Sequence, residues 1–146
     1  MWQPNSARTI QYPHISFSLC YNNYWIYRRR SCLEALEIAQ KAVEAATEKQ
    51  ATDIVLLDVR DVCSFADYFV LGTGESDRQI VAISEEIERS LKKDGERLIH
   101  WEGTGDSGWV LLDYGDVIVH IFASFERKFF NLEEMWSAAR TVVRIQ

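Results

Sequence analysis

The stretch that decides the fold is residues 108–136, GWVLLDYGDVIVHIFASFERKFFNLEEMW. It opens with residues 109–113, an apolar run of strong strand-forming residues. Tyr114 and Gly115 follow as a turn, because glycine can adopt the positive φ that a short hairpin requires. Residues 116–122 return as a second strand whose two faces are both mostly apolar. The sequence therefore predicts a hairpin that is buried on both faces.

One helix and two strands are predicted before a glycine-rich turn. Ser31 and Glu34 have the spacing of a capping box, which places the start of the first helix at Ser31. Residues 54–57 and 67–71 are short apolar runs that indicate buried strands. The apolar residues of the helix recur at the helical period and form its buried stripe, namely Leu33, Leu36, Ala39, Val43 and Ala46.

Residues 72–76, GTGES, are predicted to form the glycine-rich turn, with Ser76 and Gln79 at capping distance for the next helix. Asp94-Gly95 is a typical helix end. One face of this helix carries large apolar residues, namely Ile80, Ile83, Ile87 and Leu91.

A short strand at 98–101 leads to the hairpin, and Asn131 begins a last helix that runs past Trp136. Its core face is predicted to hold Leu132, Met135, Trp136, Ala139 and Val143. About five strands with helices before, between and after them predict an α/β (α+β) fold, a single mixed sheet flanked by helices.

Charge separates the first residues from the rest of the chain. The net charge is −6 over 146 residues. Residues 1–33 hold four arginines and no acid, so the remainder carries 12 basic and 22 acidic residues. A domain this acidic is a poor general binder of nucleic-acid backbones, and a basic protein surface suits it better. We predict a partner protein, no direct DNA binding and no membrane attachment.

We divide the chain into an atypical extension, residues 1–30, and a folded domain, residues 31–146. The extension mixes aromatic, asparagine and arginine residues without a clean period. Three interpretations of it remain open: a targeting segment, a natural extension that docks on the domain, or upstream sequence that is disordered or not native. Three cysteines without metal spacing indicate a reducing compartment, and we expect the cytoplasm.

Chemistry could reside in two places. The glycine-rich turn at 72–76 could hold an anion at a helix N-terminus, but it lacks the lysine of a phosphate loop. Asp113 and Asp116 are an acidic pair, as nucleotidyltransferases use for Mg²⁺, although a hairpin turn also explains them. His120 lies mid-strand without an orienting carboxylate or a nucleophile elbow. We therefore predict no catalytic residues, no cofactor and no metal, with a nucleotidyltransferase-like enzyme or nucleotide-binding protein as the alternative.

The connection 125–130, FERKFF, holds three aromatic residues and two cations. Protein interfaces concentrate aromatic residues and arginine. The same aromatics could instead fold back into the core, and the sequence leaves both possibilities open.

Taken together, these stretches resemble the ribosomal silencing factors, also called RsfS or Iojap-like proteins. The resemblance runs from about Leu33 to Trp136. The segments that carry it are DIVLLDV at 53–59, ADYFV at 66–70, GTGES at 72–76 with Arg78-Gln79, Glu102-Gly103, WVLLD at 109–113, GDVIVHIF at 115–122, Arg127, Leu132-Glu133 and Trp136. Residues 1–32 and a helix continuing past Trp136 depart from the family pattern.

The resemblance implies a nucleotidyltransferase-like fold without the activity, and a tendency to form homodimers. It implies binding to the large ribosomal subunit through its fourteenth protein, which blocks joining of the small subunit and represses translation. Six residues of the hairpin and the following connection are predicted at or near the partner-binding face, namely Trp109, Asp113, His120, Arg127, Phe129 and Phe130.

Overall fold

The structure is a computed structural model, and it describes residues 8–12, 15–19 and 33–146. The chain divides into two compact units, Met1–Arg30 and Ser31–Gln146. In the first unit, strands β1 (Arg8–Tyr12) and β2 (Ile15–Leu19) pair in antiparallel fashion. The other expectations for residues 1–30 lie outside the described residues.

The second unit alternates helices and strands around one sheet. Its elements are α1 (Ala35–Glu48), β3 (Thr52–Asp58), β4 (Tyr68–Gly74), α2 (Asp77–Lys93), β5 (His100–Glu102), a 3₁₀ turn (Gly105–Ser107), β6 (Trp109–Asp113), β7 (Val117–Ala123), α3 (Ser124–Phe130), α4 (Leu132–Met135) and β8 (Arg140–Ile145).

The sheet has six strands in the order β5-β6-β7-β4-β3-β8. β4 and β7 run parallel, and every other neighbouring pair is antiparallel. The prediction of an α/β fold with a single mixed sheet flanked by helices is confirmed. The strand count is six rather than five, because the end of the chain adds an edge strand.

The central hairpin has the predicted turn. In β6 and β7, Trp109 lies opposite Phe122 and Asp113 opposite Ile118. The turn closes with Tyr114 N donating to Val117 O at 2.9 Å, and Gly115 has a φ of +90°. Asp113 Oδ1 accepts a hydrogen bond from Gly115 N at 2.7 Å. The aspartate before the turn is therefore part of the turn itself.

Gly115→Val is expected to lower the free energy of unfolding by about 1 kcal/mol or more, because a β-branched residue is strained at positive φ. The added Cβ would also lie 3.3 Å from Ile99 Cδ1. Gly115→Asn is the matched control and should lose less, since asparagine tolerates positive φ better. Urea midpoints of the three proteins measure the effect. Equal midpoints would show that the turn does not constrain this residue.

The two faces of the sheet are covered by different elements. α1 and α2 pack against one face, where strand residues such as Val70, Val110 and Val119 join the main core. Because side chains alternate along a strand, Trp109 and His120 point to the opposite face. α3 packs against β7 and β4. The residues predicted for a partner surface therefore lie away from the main helical layer.

The start of α1 differs from the prediction. Glu34, not Ser31, is the N-cap, and Glu34 and Glu37 form the capping box, with Glu34 N donating to Glu37 Oε2 at 3.0 Å. Ser31 lies outside the described residues. The helix buries a stripe that excludes Leu36, which is 37% exposed, and the buried residues are Ile38, Ala39, Ala42, Val43, Ala45 and Ala46.

The predicted glycine-rich turn, residues 72–76, is longer than the turn in the structure, because β4 extends to Gly74. Gly72 to Gly74 continue β4 and pair in parallel with β7, with Gly74 opposite Ala123. A Cβ on Gly74 would lie 2.8 Å from Ile80 Cγ1, so the glycine permits α2 to approach the strand closely. The helix prediction is confirmed, since Gln79 N donates to Ser76 Oγ at 3.2 Å. Its predicted face, Ile80, Ile83, Ile87 and Leu91, is fully buried.

The predicted last helix is wrong after its first turn. Residues 124–130 are helical rather than a connection, and Asn131, with φ of +42°, ends that helix. α4 is a single turn, and Arg140–Ile145 forms β8 against β3. Two consecutive valines in this stretch favour a strand, and pairing with β3 overrides the helical spacing. Leu132 is buried as predicted, but Met135 is 55% exposed.

Candidate functional site

An aromatic cluster surrounds Trp109 on the sheet face that α3 approaches. The Trp109 ring lies 4.6 Å from the ring of Phe130, 4.9 Å from Phe122 and 5.7 Å from His120, measured between centroids. Trp109 Nε1 donates a hydrogen bond to His120 Nδ1 at 3.3 Å. Since an indole N–H only donates, Nδ1 is the acceptor and a neutral imidazole carries its proton on Nε2.

His120 is neutral in this cluster. Its side chain is completely buried. Burial, assisted by the positive charge of Arg127, lowers the pKa of His120 from 6.5 to about 3. A histidine that remains uncharged across the physiological range and bonds to an indole serves packing and orientation.

Acid should therefore destabilise the protein through His120. The unfolded chain takes up a proton below about pH 6.5 that the folded chain does not bind until about pH 3, so this stabilisation is lost as pH falls through that window. One such group contributes a slope of at most about 1.4 kcal/mol per pH unit. His120→Gln should show a shallower dependence of unfolding free energy on pH than the parent.

Urea unfolding at pH 7 and pH 4.5 measures this slope. His100→Gln changes an exposed histidine and provides the matched control. Identical pH slopes in the parent and in His120→Gln would contradict a buried neutral imidazole.

Arg127 connects α3 to the sheet and to α4. Its side chain is only 8% exposed. Arg127 Nε donates to Glu133 Oε2 at 3.0 Å, and Arg127 Nη1 donates to Thr73 Oγ1 at 3.2 Å. Glu133 Oε1 also accepts from Arg144 Nη2 of β8 at 3.2 Å. The Arg127 guanidinium therefore links α3 to β4 and α4 inside the fold, and it also places a positive charge near the candidate surface.

Arg127 and Arg144 keep the Glu133 carboxylate ionised. Burial alone would raise the pKa of Glu133, but the hydrogen bond from Arg127 and the charges of Arg127 and Arg144 hold it below its usual range. Glu133 thus stays ionised and continues to pair with the buried guanidinium at neutral pH.

The outer side of α3 presents an aromatic surface. Phe125 is 72% exposed and Phe129 is 64% exposed, and their rings stack at 6.0 Å because they are four residues apart on a helix. Phe130 is half-buried and contacts Phe129 at 5.1 Å as well as Trp109. We call Phe125 and Phe129 the α3 aromatic pair.

The structure places the six predicted site residues at different depths. Phe129 is exposed, Phe130 is half-buried, and the other four are buried, namely Trp109, Asp113, His120 and Arg127. Trp109, His120 and Phe130 are brought together. Asp113 lies at the far end of β6, where burial raises its pKa against the opposing effect of the hydrogen bond from Gly115.

Three residues of this region were not among the six site residues predicted from the sequence. Phe125 would have been found by reading 124–130 as a helix, since Phe125 and Phe129 then share a face. Thr73 and Glu133, which hold Arg127, carry no sequence signal for that contact, because it depends on how α3 packs on β4.

Within residues 33–146, no group of three histidine, cysteine or acidic side chains is arranged to hold a metal ion. In the same part of the chain, no helix has the length and apolar character needed to cross a membrane.

The fold and this region define an α/β domain with an exposed aromatic surface on a short helix. Aromatic residues are enriched in protein interfaces. Residues 33–146 match the family described as ribosomal silencing factor during starvation, and the chain belongs to that family. The resemblance predicted from the sequence is confirmed.

Individual relatives agree with this assignment. The chain is 38% identical over 106 residues to ribosomal silencing factor RsfS of Halalkalibacterium halodurans, which covers 73% of this chain and 91% of the relative. It is 40% identical over 102 residues to RsfS of Bacillus subtilis, covering 70% and 86%. A crystal structure of a Chromobacterium violaceum protein superposes with a TM-score of 0.70 at 32% identity, covering 72% of this chain and 88% of that one.

Proposed function

We propose that this protein is a ribosomal silencing factor that binds the large ribosomal subunit through its fourteenth protein and blocks association with the small subunit. The observation that carries the proposal is membership of the ribosomal silencing factor family over residues 33–146. Two of the relatives described above bear that name, and the similarity covers most of their own length.

The proposed mechanism is steric and requires no chemical step. A protein interface of standard size buries roughly 1,600 Å² in total. Occupying that much of the surface where the two subunits meet is enough to exclude the small subunit. The net charge of −6 favours a basic ribosomal protein as the partner, since complementary charge speeds and orients encounter.

We propose that the partner seats where α3 meets the Trp109 face of the sheet. Phe129 is exposed and is proposed to contact the partner directly, with Phe130 beside it. Trp109, His120 and Arg127 shape and support this surface from beneath. Asp113 is proposed to mark the far end of the face, at the other end of β6.

Three further features belong to the proposal. Residues 31–146 act as the ribosome-binding domain, and residues 1–30 are an extension to it. The domain forms a homodimer. The protein works in the cytoplasm, where the ribosomes it silences are found.

Sucrose-gradient sedimentation tests the proposal directly. Purified ribosomal subunits are mixed with the full chain, or with a chain beginning at Ser31, under conditions that favour subunit joining. The proposal expects both proteins to migrate with the large subunit and to reduce the joined peak. Normal joining at saturating protein would overturn the proposed function, and a failure of the shorter chain alone would overturn only the division at residue 31.

Nucleotide turnover is expected to be absent. β4 continues through Gly72 to Gly74, and Asp113 serves the hairpin turn through its bond to Gly115. Incubation with each nucleoside triphosphate and Mg²⁺ or Mn²⁺ should yield no transfer product above a protein-free blank. Turnover that disappears in an Asp113→Asn, Asp116→Asn double variant would favour a nucleotidyltransferase-like enzyme instead.

A further inference from the structure

β8 is the last strand of the sheet and leaves one edge open. It pairs only with β3 within the described residues, so its second side has no neighbouring strand there. An open edge presents backbone N–H and C=O groups that can pair with another extended segment. Val142 and Ile145 are each 37% exposed on this strand, which adds apolar contact area.

The exposed charge along this edge is positive. The side chains of Arg60, Arg140 and Arg144 are 52%, 76% and 49% exposed. Their acidic partners, Asp58 and Glu133, are only 10% and 28% exposed. In a chain with a net charge of −6, this edge therefore shows a partner mainly guanidinium groups.

These arginines are held close to the strand. Arg140 Nη2 lies 3.5 Å from Asp58 Oδ2, and Arg144 Nη2 lies 3.2 Å from Glu133 Oε1. Arginines on an edge strand disfavour pairing with a second copy of the same strand, because like charges would then face each other. The same arrangement favours an incoming strand that carries carboxylates.

We infer that the open edge of β8 is a docking site for an extended acidic segment of a partner protein, which adds to the sheet as a seventh strand. Main-chain hydrogen bonds hold such a segment, and its alternate side chains determine specificity. The register of β8 on β3 shifts between Thr141 and Val143, so Arg140, opposite Asp58, and Arg144, opposite Val55, lie on opposite faces of the sheet. Carboxylates of the segment therefore pair with Arg140 on one face and with Arg144 on the other, and its small apolar residues contact Val142 and Ile145. This site lies on a different element from the α3 surface, although Glu133 contacts both Arg127 and Arg144, and it does not depend on ribosome binding.

Fluorescence anisotropy with the full chain tests the inference. The probe is a labelled peptide of repeating Glu-Glu-Val-Val, about eight residues long to match a typical strand, so that it carries carboxylates on both faces. We expect saturable binding, and binding weakened about tenfold or more when lysine replaces glutamate in the peptide. An Arg140→Glu, Arg144→Glu variant, checked for folding by circular dichroism, should instead prefer the lysine peptide.

Peptides methylated on alternate backbone nitrogens distinguish strand addition from simple charge attraction, and they leave the protein unchanged. One methylated set blocks the amides that face β8 and should lose binding, while the other set faces away and should bind as before. Equal behaviour of the two sets, or no saturable binding of the acidic peptide, overturns the inference. A dimer that excludes the peptide and dissociates in Val142→Lys assigns the edge to a second copy and overturns it as well.

Discussion

Arg127→Met is expected to lower the free energy of unfolding by about 3 kcal/mol, at the lower end of the cost of breaking a buried ion pair. The guanidinium is 8% exposed and bonds to Glu133 and Thr73. Removing it leaves Thr73 Oγ1 buried without this donor, and leaves Glu133 with Arg144 alone. The contacts of α3 and α4 with the sheet should loosen together.

Arg144→Met is the matched control, since it removes the other arginine from the same carboxylate. Arg144 is 49% exposed, and a surface ion pair contributes roughly 1 kcal/mol or less. Urea unfolding of both variants, and of an Arg127→Met, Glu133→Leu double variant, measures the coupling. The double variant should recover part of the loss. A cost for Arg127→Met no larger than that for Arg144→Met would show that the buried pair contributes little.

Arg127 also shows where sequence reasoning reached its limit. In the sequence it stands between aromatic residues on a presumed loop, which is typical of an interface cation. In the structure this segment is a helix, and the helical periodicity places Arg127 on the buried side while Phe125 and Phe129 lie on the exposed side. Burial of an arginine depends on a distant partner, and no local pattern reveals that Thr73 will be there.

The parts that could be predicted are those with strong local signals. The hairpin followed from two apolar runs around Gly115, and α2 followed from Ser76 and its isoleucine face. β8 could not be predicted as readily, because its residues also fit a helical spacing and only pairing with β3 decides between the two. Gly72 to Gly74 were misassigned for a similar reason, since they pair with β7 as part of the strand, and Gly74 permits close packing of α2 rather than a turn.

Phe129→Ala is expected to weaken binding to the large subunit by at least tenfold without unfolding the domain. Phe129 is 64% exposed, so truncating it removes little internal packing. A central aromatic anchor contributes roughly 2 kcal/mol or more to an interface. Since about 1.4 kcal/mol corresponds to a factor of ten, such a loss exceeds tenfold. Truncating Phe125 as well should weaken binding further.

Other positions give less direct tests of the same surface. Phe130 packs against Trp109, and Arg127→Glu would place a carboxylate in a buried site beside Glu133, so both changes affect folding as well as contact. Asp113→Asn is cleaner, because the amide oxygen can still accept from Gly115 N while the charge is lost. Weaker binding in this variant would support a contact at the far end of β6.

Co-sedimentation with large subunits over a range of protein concentrations measures these affinities, with circular dichroism and melting run on each variant. Leu36→Ala is the matched control, since Leu36 is an exposed apolar residue on α1, which covers the opposite face of the sheet. It should bind as the parent does. A folded Phe125→Ala, Phe129→Ala variant that blocks subunit joining at parental concentrations would exclude the α3 aromatic pair from the interface. A loss of binding in Leu36→Ala alone would move the interface to the helical face, because only contacts made there could then hold the subunit.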